Sequence, residues 1–329
     1  MKILLTGSTG FYGKAILARL KNTGHHVIGV ASLSNPSPNT DYLNVSSLEN
    51  CKQIFSKYED IDVVIHCAAI AHASPGMFSD NHYYKINALG TKNIIDTAID
   101  FGVKKFIMIS SVSVYGEFDL PDVVTEEADR NPFGPYGNSK KVAEDICFKR
   151  KNEINLYIFR MTSMYGDDWL DNIRRKIVPP VIGKFIYLKM DATSHRYSFC
   201  SNKNGADAIL WAIENKIKPD IYNIADYYVY CLDTVLNVVK KAEGNKIVLK
   251  IPRILPVLML KIIIMLTRNK GKKANMKNRY WKFFKNNIYS TEKLESTGFY
   301  AHPYLLDLEK EKKHIIPTLK NLNTNSAIF

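Results

Sequence analysis

The chain has 329 residues, 46% of them hydrophobic, which is enough for one large α/β domain with an added lobe or for two domains. Its net charge of +13 comes from one end, because residues 1–239 hold 26 basic and 26 acidic residues, whereas residues 240–329 hold 19 and 6. The five cysteines are scattered and include no C-x-x-C pair, which argues against a metal site or a disulfide framework. The sequence has no zinc-finger, basic-zipper or RNA-binding signature, so a nucleic-acid partner is not expected.

The first predicted element is a buried strand that turns into a helix at a glycine-rich turn. Four of residues 1–5 are apolar, and Gly7, Gly10 and Gly13 follow at the strand-to-helix junction. Glycines there permit a tight turn and let backbone N–H groups approach a pyrophosphate. We therefore predict a dinucleotide site, with Phe11 in the same turn also contacting the cofactor. The apolar start is too short for a signal peptide, so we expect a cytoplasmic protein.

The second predicted strand, residues 27–31, is where NAD-binding enzymes normally carry an acidic residue for the adenosine ribose. Ala31 and Ser32 supply no carboxylate, and no arginine follows to mark a 2′-phosphate pocket. The choice between NAD and NADP is therefore open. A short strand is predicted at residues 42–45, and Ser46 with Glu49 predicts a capping box for the next helix.

The third long strand, residues 63–69, ends in Ala68 and Ala69, whose small side chains leave room for a cofactor. His66 within this strand is interpreted as a packed or cofactor-lining residue. His72 follows in a loop over the expected site and is a candidate for substrate contact. A long helix is predicted from residue 85 to about 100, with Asn87 in its first turns.

Residues 106–140 carry the expected chemistry. The apolar run 106–109 predicts a buried strand whose polar end includes Ser111. Tyr136 and Lys140 are four residues apart, so on a helix they share one face. An ammonium group there favours the phenolate and is expected to lower the tyrosine pKa from about 10. Such a tyrosine can exchange a proton with an alcohol or ketone, while Ser111 hydrogen-bonds the same oxygen.

The glycine spacing at 7, 10 and 13, together with Ser111, Tyr136 and Lys140, resembles the extended short-chain dehydrogenases/reductases. More narrowly, the chain is similar to the NAD-dependent epimerase/dehydratase family, which acts on nucleotide sugars. The resemblance and the strand–helix alternation imply a Rossmann-like, doubly wound parallel sheet with a smaller C-terminal α/β lobe. We expect the cofactor domain at 1–166, with further core elements from about 197–226, and the substrate lobe mainly at 167–329.

The resemblance also implies roles for residues outside the triad. Asn87 is expected to anchor the sheet and active site beside the cofactor. Ser113 is expected to contact substrate, and Asn172 and Arg196 match positions that hold the nucleotide diphosphate. Family members are often homodimers through paired helices, including the helix that bears the tyrosine, so a homodimer is expected here.

The expected reaction is hydride transfer at the sugar C4 position. The 4,6-dehydratases of the family carry an Asp-Glu pair where this chain has Val112 and Ser113, which argues against dehydration. A UDP-sugar 4-epimerase for surface polysaccharide and an NAD(P)H-dependent 4-keto-sugar reductase both remain, with a slight preference for the epimerase. A non-catalytic dinucleotide sensor is a more remote alternative, because such proteins often lack the Tyr or Lys.

Residues 251–266 form an apolar stretch that contains Arg253 and Lys261 and is followed by a basic, aromatic run. It is too short and interrupted to cross a bilayer. One interpretation is a buried helix of the substrate lobe. The other is an amphipathic element that, with its basic continuation to 285, rests peripherally on an anionic membrane.

Overall fold

The computed structural model describes residues 1–32, 40–71, 77–117, 120–167, 170, 172–173, 180–182, 186–190, 196–243, 247–251, 258, 261–262, 264–267 and 286–310. For residues 180–182, 186–190, 240, 242–243, 247–251 and 308–310 only the backbone is described. The predicted contact of His72 lies outside the described residues, as does most of the basic run up to residue 285.

The strands, in chain order, are β1 (Lys2–Thr6), β2 (His26–Ala31), β3 (Thr40–Tyr42), β4 (Val63–His66), β5 (Lys105–Ser111), β6 (Val123–Val124), β7 (Asn155–Met161), β8 (Ser163–Tyr165), β9 (Pro180–Ile182), β10 (Ile186–Met190), β11 (Arg196–Tyr197), β12 (Phe199–Ser201), β13 (Ile221–Ile224), β14 (Tyr230–Cys231), β15 (Ile247–Ile251) and β16 (Ile288–Tyr289). The α-helices are α1 (Phe11–Leu20), α2 (Leu48–Lys57), α3 (Asp80–Tyr83), α4 (Gly90–Asp100), α5 (Gly134–Phe148), α6 (Asn202–Glu214), α7 (Leu232–Glu243), α8 (Glu292–Glu295) and α9 (Tyr304–Lys310).

Seven parallel strands form the main sheet in the order β13-β7-β5-β4-β1-β2-β3. The strand order reverses between β1 and β4, and such a switch point opens a crevice at the carboxyl ends of the strands. The predicted Rossmann-like, doubly wound fold is confirmed.

Each face of this sheet has its own core. On one face the β-strand side chains pack with α1 and α6, and on the other with α2, α4 and α5. Strands buried on both faces read as continuous apolar runs, as the stretch Phe106 to Ile109 does. A third cluster, which includes Phe199, Tyr230 and Val235, packs beside the sheet, and β9, β10 and β15 form a separate small sheet.

The structure differs from three local predictions of secondary structure. Ser47, rather than Ser46, caps α2, because its side chain accepts a hydrogen bond from the Asn50 backbone N–H. Strand β3 ends at Tyr42, where residues 42–45 were predicted as the strand. The helix predicted from residue 85 starts as a π-helical stretch at Tyr84–Leu89. In the described part of the chain, no helix has the length and apolarity needed to cross a membrane.

Candidate active site

A cavity of about 1970 Å³ opens at the carboxyl ends of the sheet strands. Its walls come from the turn after β1, the ends of β4 and β5, the start of α5 and the segment around β16. Of the predicted site residues, the cavity lining includes Gly7, Gly10, Phe11, Gly13, Ala68, Ala69, Ser111, Ser113, Tyr136, Lys140 and Asn172. Residues far apart in the sequence therefore meet at one site.

The glycine turn has geometry that only glycine satisfies at two positions. Gly7 has φ +69°, and a Cβ added there would lie 2.8 Å from the Ala68 backbone. A Cβ at Gly13 would lie 2.0 Å from the Gly7 carbonyl oxygen. Because the glycines have no side chains, the turn exposes its backbone at the start of α1, beside the small residues Ala68 and Ala69. This cradle fits the pyrophosphate of a dinucleotide such as NAD.

His66 is a packed histidine, as predicted. Its Nδ1 lies 2.8 Å from the Thr6 hydroxyl, and its Nε2 lies 3.0 Å from the Thr91 hydroxyl. Thr91 donates its own proton to the Asn87 carbonyl oxygen, so the Thr91 oxygen accepts from Nε2–H and the imidazole is neutral. Burial, followed by the charge of Lys140, lowers the pKa of His66 to about 3.

Ser111 ends β5 and interacts with the Tyr136 side chain at the cavity wall. The Ser111 hydroxyl also donates to the Ser113 hydroxyl over 3.1 Å, which brings the predicted substrate residue Ser113 to the same point. Lys140 is buried, and its Nζ donates to the Ile109 carbonyl oxygen over 2.6 Å. The three predicted triad residues thus converge at the end of one strand and the start of one helix.

The expected lowering of the tyrosine pKa is wrong for this structure. Burial raises the pKa of Tyr136 to about 12, and the hydrogen bond with Ser111 opposes that rise. The reason is desolvation of the phenolate. Burial also lowers the pKa of Lys140 to about 8, so the ammonium is itself held weakly.

Asn87 is fully buried and joins the loop after β4 to α5. Its Oδ1 accepts from the Ile70 N–H over 2.8 Å, and its Nδ2 donates to the Ile70 carbonyl and to Ser139 over 3.0 and 2.9 Å. Ser139 in turn donates to the Tyr136 carbonyl oxygen. These contacts give Asn87 the anchoring position that we expected, while its contact with the cofactor stays a prediction.

The sequence predicted less well the part of the cavity lining that contains Asn172, Asn286 and Asn287. Asn172 lines it and donates to the Met164 carbonyl oxygen over 3.1 Å. Arg196, predicted to hold phosphate, is exposed on β11 and is outside the cavity lining. Asn286, which accepts from the Arg196 backbone N–H, and Asn287 line the cavity instead. No recognisable motif surrounds them, so neither asparagine could be predicted from local sequence.

A buried ionic cluster under α5 was also missed. Glu144 is fully buried, and the guanidinium of Arg160 donates to it through Nε over 3.1 Å and through Nη2 over 2.8 Å. Arg130 and the Ser110 hydroxyl donate to the same carboxylate. The sequence signal for this cluster was the spacing, because Glu144 lies one helical turn beyond Lys140.

Among the described residues, no group of three or more His, Cys, Asp or Glu side chains could hold a metal ion.

Comparison with protein families gives a match over most of the chain. The model of the NAD dependent epimerase/dehydratase family matches residues 3–225. A UDP-glucose 4-epimerase of Vibrio cholerae is 29% identical over 232 residues, which cover 68% of this chain and 70% of that protein. A dTDP-D-glucose 4,6-dehydratase of Mus musculus is 26% identical, with 68% of this chain and 67% of that protein covered. Two further relatives are matched over 57% and 56% of their own length.

Solved structures show the same fold. A short-chain dehydrogenase/reductase superfamily protein of Agrobacterium tumefaciens with bound NAD has a TM-score of 0.71 at 18% identity, covering 94% of this chain and 95% of that one. A UDP-glucose 4-epimerase of Thermotoga maritima with UDP-glucose has a TM-score of 0.70 at 22% identity, covering 94% and 96%.

Proposed function

This chain belongs to the NAD-dependent epimerase/dehydratase family, and we propose that it is a UDP-sugar 4-epimerase that uses NAD. The proposal rests mainly on one observation: the Tyr136 and Ser111 side chains interact with each other at the wall of a cavity that also contains the glycine turn. The relatives named as UDP-glucose 4-epimerases support the substrate class. The product of such an epimerase would serve surface-polysaccharide assembly, which consumes activated sugars.

The proposed chemistry assigns one task to each triad residue. Gly7, Gly10 and Gly13 would hold NAD, which would supply a hydride acceptor for the sugar C4 position and return the hydride to the opposite face of the ketone. Tyr136 takes the proton of the C4 hydroxyl and gives it back to the ketone oxygen. Ser111 holds that oxygen in line with Tyr136, and the Lys140 ammonium stabilises negative charge that develops on the tyrosine oxygen. Ser113 and Asn172 are proposed to contact the nucleotide sugar from the cavity wall, and Arg196 from outside that wall, next to the cavity residue Asn286.

A second candidate is a 4-keto-sugar reductase, and the state of Tyr136 favours it. Because burial raises the pKa of Tyr136 to about 12, the side chain is a neutral hydroxyl at pH 7, which is the form that donates a proton to a ketone. Val112 and Ser113 replace the acid and base of a dehydratase, so dehydration is not proposed although dehydratases occur among the relatives.

The two candidates differ in what the purified protein retains. We expect an epimerase to carry bound NAD, detectable by mass spectrometry after denaturation, and to interconvert UDP-GlcNAc with its C4 epimer, or UDP-Gal with UDP-Glc, without net redox change. A protein that is isolated without nicotinamide and oxidises NADH or NADPH only with a UDP-4-keto sugar would be the reductase instead.

Tyr136→Phe tests whether the site is catalytic. Removing the hydroxyl takes away the proton donor and acceptor but no charge, so turnover should fall by about 10²–10⁴-fold while bound nicotinamide is retained. Tyr84→Phe, at an exposed tyrosine outside the cavity lining, is the matched control and should leave turnover unchanged. Unchanged turnover in Tyr136→Phe would contradict the mechanism, and a chain that binds nicotinamide but turns over no substrate would support the sensor alternative.

Two further partners are proposed. A homodimer would cover apolar side chains near α4 and α5, where Leu89, Phe101 and Phe148 are 37%, 43% and 41% exposed.

An anionic membrane surface would cover the side chains of Leu258, Ile262, Met265 and Leu266, which are 48–72% exposed. The latter four positions are helical, and their spacing places them on one face. The eight cations and no acids of residues 268–285 complement an anionic surface.

Sedimentation with lipid vesicles tests the membrane proposal. The full chain should bind phosphatidylcholine vesicles that contain phosphatidylglycerol but not pure phosphatidylcholine vesicles, and high salt should release it. Met265→Gln/Leu266→Gln should weaken binding by about tenfold or more, whereas Leu48→Gln, at another exposed leucine, on α2, should not. Equal binding to both vesicle types, or a loss of dimer mass in the double variant, would contradict membrane docking.

A further inference from the structure

One face of α5 is attached to the end of β5 by three side chains that follow each other at one-turn intervals. Tyr136 interacts with Ser111, Lys140 donates to the Ile109 carbonyl oxygen, and Glu144 accepts from the Ser110 hydroxyl. The strand residues involved are the last three of β5. The helix that bears the proton-transfer residue is therefore held to the strand that bears its hydrogen-bond partner at three consecutive points.

Of the three attachment points, only Glu144 extends to the rest of the sheet. The Arg160 guanidinium that it binds belongs to β7, and Arg160 also donates to the Tyr115 hydroxyl over 2.8 Å and to the Glu126 carbonyl oxygen over 3.0 Å. The Tyr115 hydroxyl then donates to Asn223 on β13. Glu144 thus connects α5 to three adjacent strands of the main sheet, β5, β7 and β13.

The energetics favour a rigid connection. Glu144 is fully buried and Arg160 is 1% exposed, so neither charge can leave the other for water without a conformational change. Charge-assisted and paired hydrogen bonds of this kind are short and directional. A buried carboxylate with several donors resists both rotation and translation of the helix that carries it. Lys140 and Tyr136 each make one such contact, against four at Glu144, so their positions depend on a geometry that the Glu144 end fixes.

We propose that Glu144 is a positioning residue for the active site, which sets the Tyr136 hydroxyl against Ser111 and keeps the Lys140 ammonium in place. This inference rests on the proposed proton-transfer role of Tyr136. Glu144 itself does not line the cavity, so it acts only through the groups attached to its helix. The role requires its charge as well as its shape, because Arg160 and Arg130 both bind the carboxylate.

The charge of Glu144 also reaches Lys140. Burial lowers the pKa of Lys140 to about 8, and electrostatic interactions with Cys67, Glu144 and Cys147 oppose this shift. His66, which faces Lys140 from β4, is neutral, and Tyr136 on the same face is a neutral hydroxyl. Arg160 and Arg130 are the cations that face Glu144. Removal of the carboxylate charge should therefore lower the Lys140 pKa further and release its proton at lower pH.

The experiment measures kcat and KM against pH for the full chain with UDP-Gal or UDP-GlcNAc. We expect Glu144→Gln to lower kcat by about 10–100-fold with KM within about threefold, and to move the alkaline limb of kcat down by about one pH unit. Asp145→Asn is the matched control: it removes the same charge from the next residue, whose side chain is 44% exposed, and should change neither quantity. Glu144→Asp keeps the charge and should keep the alkaline limb near its original pH.

A second measurement does not need turnover. In protein labelled with ¹³C at lysine Cε, the Lys140 signal, assigned by its loss in Lys140→Met, should titrate about one pH unit lower in Glu144→Gln than in wild type. An unmoved Lys140 titration together with an unchanged kcat per folded molecule would overturn the proposal. If Glu144→Gln does not fold, Ser110→Ala, which removes only the bond between β5 and the carboxylate, should still lower kcat, and unchanged kcat would count against the role. Full activity of Tyr136→Phe would instead reject the proposed function itself.

Discussion

Glu144 and Asp226 are two of the buried carboxylates in the described part of the chain, and the groups that surround them differ in kind. Glu144 accepts hydrogen bonds from Ser110, Arg130 and twice from Arg160, over 2.6–3.2 Å. Asp226 is 3% exposed and accepts from the Ser201 backbone N–H, Asn204, Tyr165 and Tyr230, over 2.6–2.8 Å. Each carboxylate has four hydrogen bonds, but only Glu144 is bound by cations in the described part of the chain.

The difference shows in the electrostatics of Asp226. Burial raises the pKa of its carboxyl group, and the hydrogen bonds from Tyr165, Ser201, Tyr230 and Asn204 oppose the rise. Neutral donors stabilise a carboxylate less than a guanidinium does, because they carry no full charge. The same surroundings raise the pKa of both tyrosines, with burial as the largest cause.

The two carboxylates also occupy different places. Glu144 lies between α5, β5 and β7, next to the proposed proton-transfer residues, whereas Asp226 follows β13 and joins β8, β12 and β14. Strands β8, β12 and β14 lie outside the main sheet. We infer that charge pairing fixes the part of the fold where a small displacement would stop proton transfer. Neutral hydrogen bonds join the sheet to the elements beside it, where a small displacement should be tolerated.

The largest expected effect is on the stability of Glu144→Gln. The substitution leaves Arg160 buried with no full counter-charge, so the free energy of unfolding should fall by about 3–5 kcal/mol in urea titrations. Asp145→Asn, with the same charge change at an exposed carboxylate, should cost less than about 1 kcal/mol. Adding Arg160→Met to Glu144→Gln should restore part of the loss, and equal costs for residues 144 and 145 would contradict the distinction.

Asp226→Asn should cost less. An amide keeps one accepting oxygen, the tyrosine hydroxyls can turn to accept from its NH₂ group, and no charge is left unpaired. We expect a loss of about 1–3 kcal/mol in the free energy of unfolding, with turnover nearly unchanged. A loss as large as that of Glu144→Gln would show that neutral donors hold Asp226 as tightly as guanidinium groups hold Glu144.

The sheet could be predicted from sequence because its strands are buried on both faces and its glycine turn has a steric cause. The stretch 106–109 and the glycines at 7 and 13 depend only on local pattern, and both are confirmed. The predicted direction of the Tyr136 pKa shift was wrong, because helical spacing shows that Tyr136 is near Lys140 but does not show that Tyr136 is buried. Asn286 and Glu144 were missed because their roles depend on contacts between segments that are distant in the sequence.

The smallest expected effect is a pH dependence that separates wild type from Asp226→Asn. Because burial raises the Asp226 pKa, the folded state binds this proton more tightly than the unfolded state, whose carboxyl has a pKa of about 3.9. The free energy of unfolding of wild type therefore falls as the pH rises from below about 4 through the raised pKa, by about 1.4 kcal/mol for each unit of the shift. Asp226→Asn lacks this term, so the stability advantage of wild type should shrink as the pH rises across that range. Urea titrations of both proteins at a series of pH values measure the difference. An advantage that grows with pH would mean that the four donors outweigh burial and that Asp226 is held as firmly in its charged form as Glu144 is.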